Sequence, residues 1–385
     1  MKIALLTDGI PPYVLGGMQT HSALLGKTLV KKGNSVDLFH FIHKPNGLPT
    51  ENEVNKMIFE NSNFCFNKVF TYYFPQSVKF PGHYIWNSYR YSKMVANHLM
   101  KESGYDLIIA KGFSGWKLLI EKKRNRIQTK IGVKFHGYEM FQSAPNLKIK
   151  FQHLLLRVFV RWNTKHADYV YSYGGKITTI IENLGVSKEL IKEIPSAIDP
   201  SWLNQNIKTS QSLKFLFVGR NERRKGIKEI NKAIELVLKN NLDAEFHFMG
   251  PVEKRFNTSR SNVSIFYHGI IIGEKKKKEI YDSCDVLLCP SYSEGMPNVI
   301  LEAMSRGLAI IATNVGAICD IVCEKNGILL ENNKPLAILE SIMSLKSDKL
   351  KLAELQQNSV AKVRERFSSD IVFKELIETI KLEIN

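Results

Sequence analysis

The sequence predicts an α/β protein of two Rossmann-like, doubly wound domains that face each other across a cleft, with C-terminal helices that pack across the two halves. Three observations support this fold class. A strand, a helix and a second strand follow one another within the first forty residues. The same alternation restarts after a polar break near Pro200, and the chain ends in consecutive helices with no strand after them.

The N-terminal half alternates short apolar runs with helical patterns of period 3.6. Residues 2–7 read as a buried strand, residues 18–32 as an amphipathic helix and residues 35–41 as a second strand, which together make a βαβ unit. The remaining predicted strands are 106–110, 131–135, 169–172 and 191–195, and the remaining predicted helices are 85–101, 115–126 and 147–165.

Residues 201–212 are polar and show little periodicity, so we place a linker there. Further on, the predicted strands are 214–218, 245–249, 286–289 and 308–312, the predicted helices are 226–239, 275–283 and 298–305, and residues 345–382 read as consecutive helices. The expected domains are therefore 1–200, 201–365 and a C-terminal helix, 366–385, that returns toward the first domain.

The composition is that of an ordinary globular protein, with 44% hydrophobic and 24% charged residues, and it excludes a disordered chain. The 54 Lys and Arg residues outnumber the 37 Asp and Glu residues, for a net charge of +17. This excess favours anionic partners, namely nucleic acid, an acidic membrane surface or phosphorylated ligands.

The sequence contains no targeting or metal-binding pattern. No apolar run approaches the ~20 residues of a membrane helix, and the first ten residues are too short for a signal peptide, so we expect a cytoplasmic protein. The five cysteines lack the spacing and the histidine partners of zinc sites. We expect them to be reduced residues of the core.

A basic loop, Phe217-Val-Gly-Arg-Asn-Glu-Arg-Arg-Lys-Gly226, joins the first strand of the second domain to its helix. In an open α/β sheet, such a turn directs N–H groups and a helix dipole toward anionic ligands. Arg220 and Lys225 bracket the turn, so a guanidinium and an ammonium group could bind one diphosphate from two sides. The alternative is a solvated basic turn.

A second loop, Pro290-Ser-Tyr-Ser-Glu-Gly-Met-Pro297, again leads from a strand to a helix. Glu294 follows the strand and Glu302 lies about two helical turns into the helix, so both carboxylates could face one crevice and bind hydroxyl groups. Gly295 and Pro297 shape the turn, and residues 298–300 offer first-turn N–H groups to phosphate or ribose oxygens. Alternatively, Glu294 compensates the helix dipole and Glu302 is a surface charge.

These two motifs, the second of which begins with Pro290-Ser291, occur in a larger pattern that also includes Gly307 and Gly316. In its spacing, the pattern resembles the family 4 retaining glycosyltransferases of GT-B fold. The resemblance covers nearly the whole chain and is strongest over residues 217–327.

The resemblance implies a division of roles. Arg220 and Lys225 would hold the diphosphate of a nucleotide-sugar donor, Glu294 would contact the transferred sugar, and Glu302 would contact the nucleotide ribose. The domain at 201–365 would then bind the nucleotide sugar, and the domain at 1–200 would be the acceptor side.

Two features of the N-terminal half agree with the resemblance. Gly16 and Gly17 follow the first strand, where the backbone could approach a phosphate or sugar closely, although a glycine pair often only makes a turn. His136 follows a strand where the family has a histidine directed at the donor sugar; on its own it could be structural. Catalytic roles are thus expected for Arg220, Lys225, Glu294 and His136, and donor binding for Gly16, Gly17, Gly219, Gly295, Met296, Pro297, Asn298, Val299, Ile300 and Glu302.

The chain departs from the family pattern in two places. Ser196-Ala197 stands where the family commonly has Asn-Gly, and Gly316-Ala317 where it has Gly-Gly. These differences concern sugar preference more than the reaction. No Asp-x-Asp occurs in the chain, so the carboxylate pair that holds a metal ion in the other large glycosyltransferase fold is missing. We expect no metal and no cofactor, with Arg220 and Lys225 as the countercharge to the diphosphate.

Two long stretches contain no Asp or Glu. Residues 61–101 combine five Lys or Arg with eleven aromatic residues, and residues 140–167 combine five Lys or Arg with the apolar runs Leu154-Leu-Leu156 and Val158-Phe-Val160. Such segments are typical of interfacial helices that contact anionic lipid or glycan. They could also consist of core aromatics with a solvated basic face.

We therefore expect an enzyme that moves a hexose or N-acetylhexosamine from a nucleotide diphosphate sugar to a glycan or lipid-linked acceptor, in surface polysaccharide or lipopolysaccharide synthesis. We expect peripheral contact with the inner face of an anionic membrane and no nucleic-acid partner. The alternatives are a nucleotide-sugar epimerase or glycan phosphorylase of the same fold, or a non-enzymatic basic protein that binds nucleic acid. A nicotinamide dehydrogenase is disfavoured because no G-x-G-x-x-G follows the first strand.

Overall fold

The computed structural model describes residues 1–43, 47–60, 62–102, 104–204, 213–256 and 262–384. The chain forms two compact units. Unit 1 comprises Met1–Phe141, Phe151–Pro195 and Ser369–Asn385, and unit 2 comprises Gln142–Lys150 and Ser196–Ser368. Each unit is built around one parallel sheet, which confirms the predicted α/β class with two Rossmann-like sheets.

The sheet of unit 1 consists of β1 (Lys2–Leu6), β2 (Ser35–Ile42), β3 (Lys68–Tyr73), β4 (Leu107–Lys111), β5 (Lys130–Lys134), β6 (Tyr169–Ser172) and β7 (Ile191–Glu193). Their order in the sheet is β3-β2-β1-β4-β5-β6-β7. The two central strands pair in parallel with Ile3 opposite Leu107, and both are buried almost throughout. Strands covered on both faces read as continuous apolar runs, and this explains why the sequence predicts them.

The sheet of unit 2 consists of β8 (Lys214–Val218), β9 (Ala244–Met249), β10 (Val263–Gly269), β11 (Val286–Cys289), β12 (Ala309–Thr313) and β13 (Gly327–Leu330). The strand order is β10-β9-β8-β11-β12-β13. Phe215, Phe246 and Phe248 are buried in the core that this sheet forms with the helices packed on it.

The helices are α1 (Gly17–Lys31), α2 (Glu51–Phe59), α3 (His83–Leu99), α4 (Trp116–Lys123), α5 (Leu147–Lys165), α6 (Gly175–Asn183), α7 (Ile227–Lys239), α8 (Glu274–Asp282), α9 (Asn298–Ser305), α10 (Ile318–Ile321), α11 (Pro335–Ser347), α12 (Lys349–Arg366) and α13 (Ser369–Ile384). Helix α7 is amphipathic, because Ile230, Ile234 and Val237 are buried at the spacing of one helical face. Within the described residues, no helix combines the length and the hydropathy that crossing a membrane requires.

In each sheet the strand order reverses at one point, between β1 and β4 in unit 1 and between β8 and β11 in unit 2. At such a switch point, the loops that leave the carboxyl ends of the two strands diverge and open a crevice, which is where open α/β sheets bind their ligands. The basic loop, residues 217–226, follows β8. The second loop, residues 290–297, follows β11 and is called the glutamate loop below. The topology therefore places both predicted motifs at the switch point of unit 2.

The structure contains elements that the sequence patterns do not predict, among them β3, β10, β13, α2, α6 and α10. Strand β3 falls in the aromatic stretch 61–101 and is half-buried along most of its length, so it shows no clean alternation. The aromatic residues of that stretch divide between the core and the surface. Phe66 and Tyr91 are core residues, whereas Phe80, Tyr84 and Trp86 are exposed.

The boundaries between the units lie a few residues from the expected domain ends at 200 and 365. Ile198 forms a parallel bridge with Ser368, and its N–H donates to the carbonyl of Phe367 at 2.9 Å. These bonds hold the segment after Pro195 in unit 2. Of the expected linker 201–212, residues 205–212 lie outside the described residues.

The expectation that all five cysteines belong to the core is wrong for one of them. All are free thiols; Cys284 and Cys289 are buried, Cys319 and Cys323 are partly buried, and Cys65 is exposed. Cys65 lies in the loop before β3.

Candidate active site

Two loops of unit 2 meet at the switch point between β8 and β11. The basic loop ends in a short 3₁₀ turn, Arg223–Lys225, followed by Gly226 at a φ of +73°. A Cβ atom at position 226 would lie 2.1 Å from the carbonyl oxygen of Pro290 in the glutamate loop. Only glycine permits both this left-handed backbone and this close approach. The glycine therefore allows the two loops to pack together.

The central contact of the site joins Lys225 to Glu294. The Lys225 Nζ lies 2.6 Å from Glu294 Oε1, and the Ser291 hydroxyl donates to the same oxygen at 2.8 Å. Glu294 is only 3% exposed. A buried carboxylate needs such partners because an unpaired charge is costly to bury. The two predicted motifs are thus joined by an ion pair at the site itself.

Arg224 adds a second cation to this carboxylate. Its guanidinium lies 3.5 Å from Glu294 Oε2 and donates to the carbonyl of Ser293 at 3.3 Å. Burial alone would raise the pKa of Glu294, but Lys225, Arg224 and the hydroxyl of Ser291 together hold that pKa below its usual value. Glu294 is therefore a stable carboxylate that accepts hydrogen bonds rather than a proton donor.

Arg220 lies apart from this cluster. Its guanidinium pairs with Glu222 at 2.9 Å, and its side chain is 69% exposed. Glu222 also accepts from Arg224 Nε at 2.9 Å, so it links Arg220 to the cations around Glu294. The structure thus brings Lys225 and Glu294 together but leaves Arg220 exposed, paired with Glu222 and without a contact to Glu294 among those described.

A second ion pair fixes the two loops to α7. Arg223 donates two parallel hydrogen bonds to the carboxylate of Glu229, both at 2.8 Å, and a third to the hydroxyl of Tyr292 at 2.8 Å. The Tyr292 hydroxyl in turn donates to Glu229 at 3.0 Å. Such bidentate pairs impose a definite geometry. Of the three consecutive basic residues, Arg223 is thus structural, while Arg224 and Lys225 face Glu294.

Glu302 lies on α9, and two side chains of α8 contact its carboxylate. The Lys277 Nζ lies 2.7 Å from Glu302 Oε1, and the buried Tyr281 hydroxyl donates to Glu302 Oε2 at 2.7 Å. Burial raises the pKa of Tyr281, so this phenol keeps its proton. Glu302 and Glu294 therefore have separate sets of partners, and Glu302 is not the exposed surface charge considered as its alternative.

The first turn of α9 follows directly on the glutamate loop. Met296 is buried, and its carbonyl accepts from the Ser196 hydroxyl at 3.2 Å. Pro297 caps the helix, and Asn298, Val299 and Ile300 form its first turn, whose N–H groups a helix leaves largely unused. Gly219 directly follows β8, and its N–H donates to the carbonyl of Met249 at 2.9 Å.

Gly316 packs closely against the backbone of the glutamate loop. Its φ is +58°, and a Cβ atom there would lie 2.2 Å from the carbonyl oxygen of Glu294 and 2.5 Å from that of Gly295. The neighbouring Ala317 N–H donates to the Gly295 carbonyl at 2.8 Å. Of the two positions at which the family has glycine, position 316 is therefore the one where the geometry requires it.

We expect Gly316→Ala to lower the free energy of unfolding by about 2 to 3 kcal/mol, because it adds backbone strain and a clash. It should also lower activity, because the clash displaces the backbone of Glu294. Gly273→Ala is the matched control, since Gly273 has a φ of +93° but open space around it. Urea denaturation and activity assays on both variants would show the difference; equal behaviour would mean that contact with the glutamate loop is unimportant.

In unit 1, the predicted residues lie at the carboxyl ends of strands. Gly16 caps α1, its carbonyl accepts from the Thr20 N–H at 3.0 Å, and Gly17 is the first residue of that helix. His136 follows β5, and its Nδ1 lies 3.0 Å from the Tyr173 hydroxyl. These residues thus occupy the edge of the sheet where parallel strands present ligand-binding loops.

Unit 1 also buries two lysines that the sequence patterns do not single out. Lys111 ends β4, and its Nζ lies 3.3 Å from His21 Nδ1; Lys134 ends β5 and donates to the Ile194 carbonyl at 2.6 Å. Burial lowers the pKa of Lys111 to about 7, against the opposing attraction of Asp8. Burial likewise raises the pKa of Asp8 to about 7.

These shifts predict a dependence of stability on pH. Between pH 7 and 10.5 the unfolded chain binds more protons at Lys111 than the folded chain does, so the free energy of unfolding rises with pH in that window. The full rise from this one group is on the order of 5 kcal/mol. We expect Lys111→Met to remove much of the slope measured by urea denaturation. Lys93→Met, which removes an exposed lysine, should keep it; equal slopes in both variants would contradict the prediction.

Several residues of the site are missing from the sequence-based expectations. Arg224, Ser291, Lys277 and Tyr281 each contact one of the two predicted glutamates. The run Arg223-Arg224-Lys225 is visible in the sequence, but only the 3₁₀ turn determines which side chain faces Glu294. Among the residues that the structure describes, no group of three or more His, Cys, Asp or Glu side chains could hold a metal ion.

Two family models match the chain. The model "Glycosyltransferase Family 4" matches residues 15–202, and the model "Glycosyl transferases group 1" matches residues 199–365. Together they cover both units and both loops of the site.

Curated relatives are also glycosyltransferases. The capsular polysaccharide biosynthesis glycosyltransferase CapM of Staphylococcus aureus is 28% identical over 42% of this chain, and the match spans only 43% of CapM. An uncharacterized glycosyltransferase of Methanocaldococcus jannaschii is 23% identical over 99% of this chain and 98% of its own. The UDP-Gal:alpha-D-GlcNAc-diphosphoundecaprenol alpha-1,3-galactosyltransferase of Escherichia coli is 26% identical over 56% of this chain and 59% of its own.

Solved structures share the whole fold. Sucrose-phosphate synthase from Thermosynechococcus elongatus superposes with a TM-score of 0.78 at 17% identity, over 99% of this chain and 98% of that one. Anabaena HepE in complex with UDP-glucose gives 0.69 at 17% identity, over 99% of each chain. These proteins have the GT-B fold. The likeness shows that this chain shares that fold. The two family models, which together match residues 15–365, establish that the chain belongs to glycosyltransferase family 4.

Proposed function

We propose that the protein transfers a hexose or N-acetylhexosamine from a nucleotide diphosphate sugar to a glycan or lipid-linked acceptor, with retention of the anomeric configuration and without a metal ion. One observation supports this proposal above the others: the buried Glu294 carboxylate with Lys225 and Arg224 around it, at the switch point of unit 2. This arrangement combines an acceptor for sugar hydroxyls with cations for phosphate oxygens.

The chemistry assigned to these residues is electrostatic. As the bond between the anomeric carbon and the diphosphate oxygen breaks, negative charge grows on the diphosphate, and Lys225, Arg224 and Arg220 stabilise that charge. The acceptor hydroxyl attacks the anomeric carbon from the same face and passes its proton to the departing phosphate. Glu294 stays ionised and binds sugar hydroxyls, and Glu302 binds the ribose. For His136, Gly16 and Gly17 we propose the donor-binding roles that the family resemblance implies.

The pathway is proposed from the relatives. CapM is named for capsular polysaccharide biosynthesis, another relative is a putative teichuronic acid biosynthesis glycosyltransferase, and the Escherichia coli relative is named for a diphosphoundecaprenol substrate. We therefore propose a role in the synthesis of a surface polysaccharide or lipopolysaccharide on the inner face of the membrane. The structures with UDP and UDP-glucose make uridine donors the first to test.

We also propose that the enzyme binds the membrane surface reversibly through α5. Phe151, Leu154 and Val158 are exposed on this helix at the spacing of one face, and Lys150 and Arg161 are exposed beside them. Basic residues near an anionic leaflet contribute about 1 kcal/mol each, and salt screens them.

In a vesicle co-sedimentation assay at low salt, we expect the protein to pellet with anionic vesicles but not with neutral ones, and the double variant Lys150→Glu/Arg161→Glu to pellet less. Arg157 is unsuitable for this test because its Nε already donates to the Met140 carbonyl at 2.7 Å. Equally weak binding to both kinds of vesicle would make a soluble acceptor more probable than a membrane-bound one.

The reaction itself is tested by incubating the protein with UDP-, GDP- and ADP-sugars and measuring the release of nucleoside diphosphate, with and without glycans and with a chelator present. We expect one donor class to be used, with a faster release when an acceptor is present and little effect of the chelator. Conversion of the sugar without an acceptor would indicate an epimerase, and dependence on phosphate would indicate a phosphorylase. No turnover together with tight binding of nucleic acid would favour the non-enzymatic alternative.

A further inference from the structure

A cavity of about 490 Å³ opens on unit 1 between α3, α4 and α5. Its walls include Ile85, Trp86, Tyr89, Trp116, Leu155 and Phe159. The aromatic walls support one another: the rings of Tyr89 and Trp116 lie 5.1 Å apart, and those of Trp116 and Phe159 lie 5.4 Å apart. The cavity is as large as the pockets that hold small ligands in proteins, and these walls suit a hydrocarbon rather than a sugar.

The rim of the cavity is exposed and apolar. Trp86 on α3 is 51% exposed, and Leu155 on α5 is 40% exposed, although both also line the cavity. Leu155 continues the exposed stripe of Phe151, Leu154 and Val158 on α5. A hydrocarbon chain could therefore pass from a lipid surface under this stripe into the cavity without crossing polar surface.

The charges around the cavity select the kind of hydrocarbon. Helix α3 lies within the acid-free stretch 61–101 and helix α5 within the acid-free stretch 140–167. Together these stretches contain ten Lys or Arg residues and no Asp or Glu. Such surroundings attract a chain with an anionic head group. They also disfavour a second copy of this chain as the occupant, because a contact of this surface with itself would bring like charges together.

We propose that this cavity holds the part of a polyisoprenyl chain nearest to the phosphate of a lipid-linked acceptor. The inference rests on the proposed function and specifies its acceptor: the chain enters the cavity while basic side chains of α3 and α5 face its phosphate. A cavity that takes a chain does more than a membrane-docking surface, since it fixes where the head group begins.

The test uses radiolabelled farnesyl phosphate in equilibrium dialysis with the full-length protein, with butyl phosphate as the probe that has the same head group and almost no chain. Leu155→Trp fills the cavity and keeps the surface apolar. Val158→Trp is the matched control, because it adds the same side chain to the same helix on the exposed stripe. Trp86→Lys is a second variant, which places a charge at the rim and should fold even if Leu155→Trp does not.

We expect the native protein and Val158→Trp to bind farnesyl phosphate equally, Leu155→Trp and Trp86→Lys to bind it at least tenfold more weakly, and butyl phosphate to show no saturable binding. The inference is overturned if folded Leu155→Trp binds like the native protein, if farnesyl phosphate binds no better than butyl phosphate, or if sedimentation shows that the cavity is closed by a second copy. Nucleotide-sugar turnover is measured in parallel. Turnover without farnesyl phosphate binding refutes the cavity alone, whereas binding without turnover refutes the proposed reaction and leaves the cavity standing.

Discussion

Replacing Lys225 by alanine should lower kcat/KM for the nucleotide sugar by about a hundredfold or more. The substitution removes the ammonium group that lies 2.6 Å from Glu294, and with it a charge-assisted contact to the diphosphate in the transition state. Arg220→Ala should have a smaller effect, because the Arg220 side chain is largely exposed and pairs with Glu222. Steady-state kinetics with saturating acceptor would measure both changes.

Two controls separate catalysis from folding in this experiment. Lys228→Ala removes an exposed lysine from the neighbouring α7 and should leave kcat/KM unchanged. Loss of Lys225 also leaves the buried Glu294 with fewer partners, and breaking a buried pair costs about 3 to 5 kcal/mol. The double variant Lys225→Ala/Glu294→Ala removes that unpaired charge and should recover stability without recovering activity. Normal turnover by folded Lys225→Ala would remove the diphosphate role from this residue.

Replacing Glu294 by glutamine should lower turnover by about a hundredfold without trapping a covalent sugar on the enzyme. The neutral amide keeps the size of the side chain, but it loses the charge-assisted hydrogen bonds to sugar hydroxyls and its attraction to Lys225 and Arg224. Mass spectrometry of the variant with donor should show only unmodified protein, since in the proposed mechanism Glu294 binds the sugar and does not attack it.

The product of the native enzyme completes this prediction. NMR should show that the new glycosidic bond has the anomeric configuration of the donor, because in the proposed mechanism the acceptor attacks from the face that the diphosphate leaves. An inverted product would contradict same-face attack, and a sugar attached to position 294 would mean that the carboxylate is a nucleophile. The control is Ser305→Ala on α9, the helix that follows the glutamate loop. It removes a hydroxyl that donates to the Glu302 carbonyl, and it tests whether the loss of a nearby polar group alone lowers the rate.

Most of the strands that could be predicted are buried along their length, and the edge strand β7 is an exception. Strands β1, β4, β8 and β11 are continuous apolar runs, so their positions are visible in the sequence. Strand β3, Lys-Val-Phe-Thr-Tyr-Tyr, lies at the edge of its sheet and is half-buried on most residues, and its aromatic residues are shared between core and surface. Composition alone cannot divide them, because that division depends on the helix packed over the strand.

The candidate site could be predicted only in part for a similar reason. Lys225 and Glu294 are identifiable as separate motifs, but they are 69 residues apart in the chain, and their pairing depends on β8 and β11 being neighbours. Periodicity does not encode strand order. Lys111 could not be identified from the sequence, because a lysine that follows an apolar strand is usually solvated, whereas here the lysine is buried beside His21.

The most direct test of the central claim, that the Lys225 and Glu294 site holds the diphosphate of a nucleotide sugar, is isothermal titration of the protein with UDP, GDP and ADP. We predict that one of these ligands binds to the native protein, binds at least tenfold more weakly to Lys225→Ala, and binds unchanged to Lys228→Ala. If none of the three binds the native protein, or if folded Lys225→Ala binds as tightly as the native protein does, the site does not have the role assigned to it.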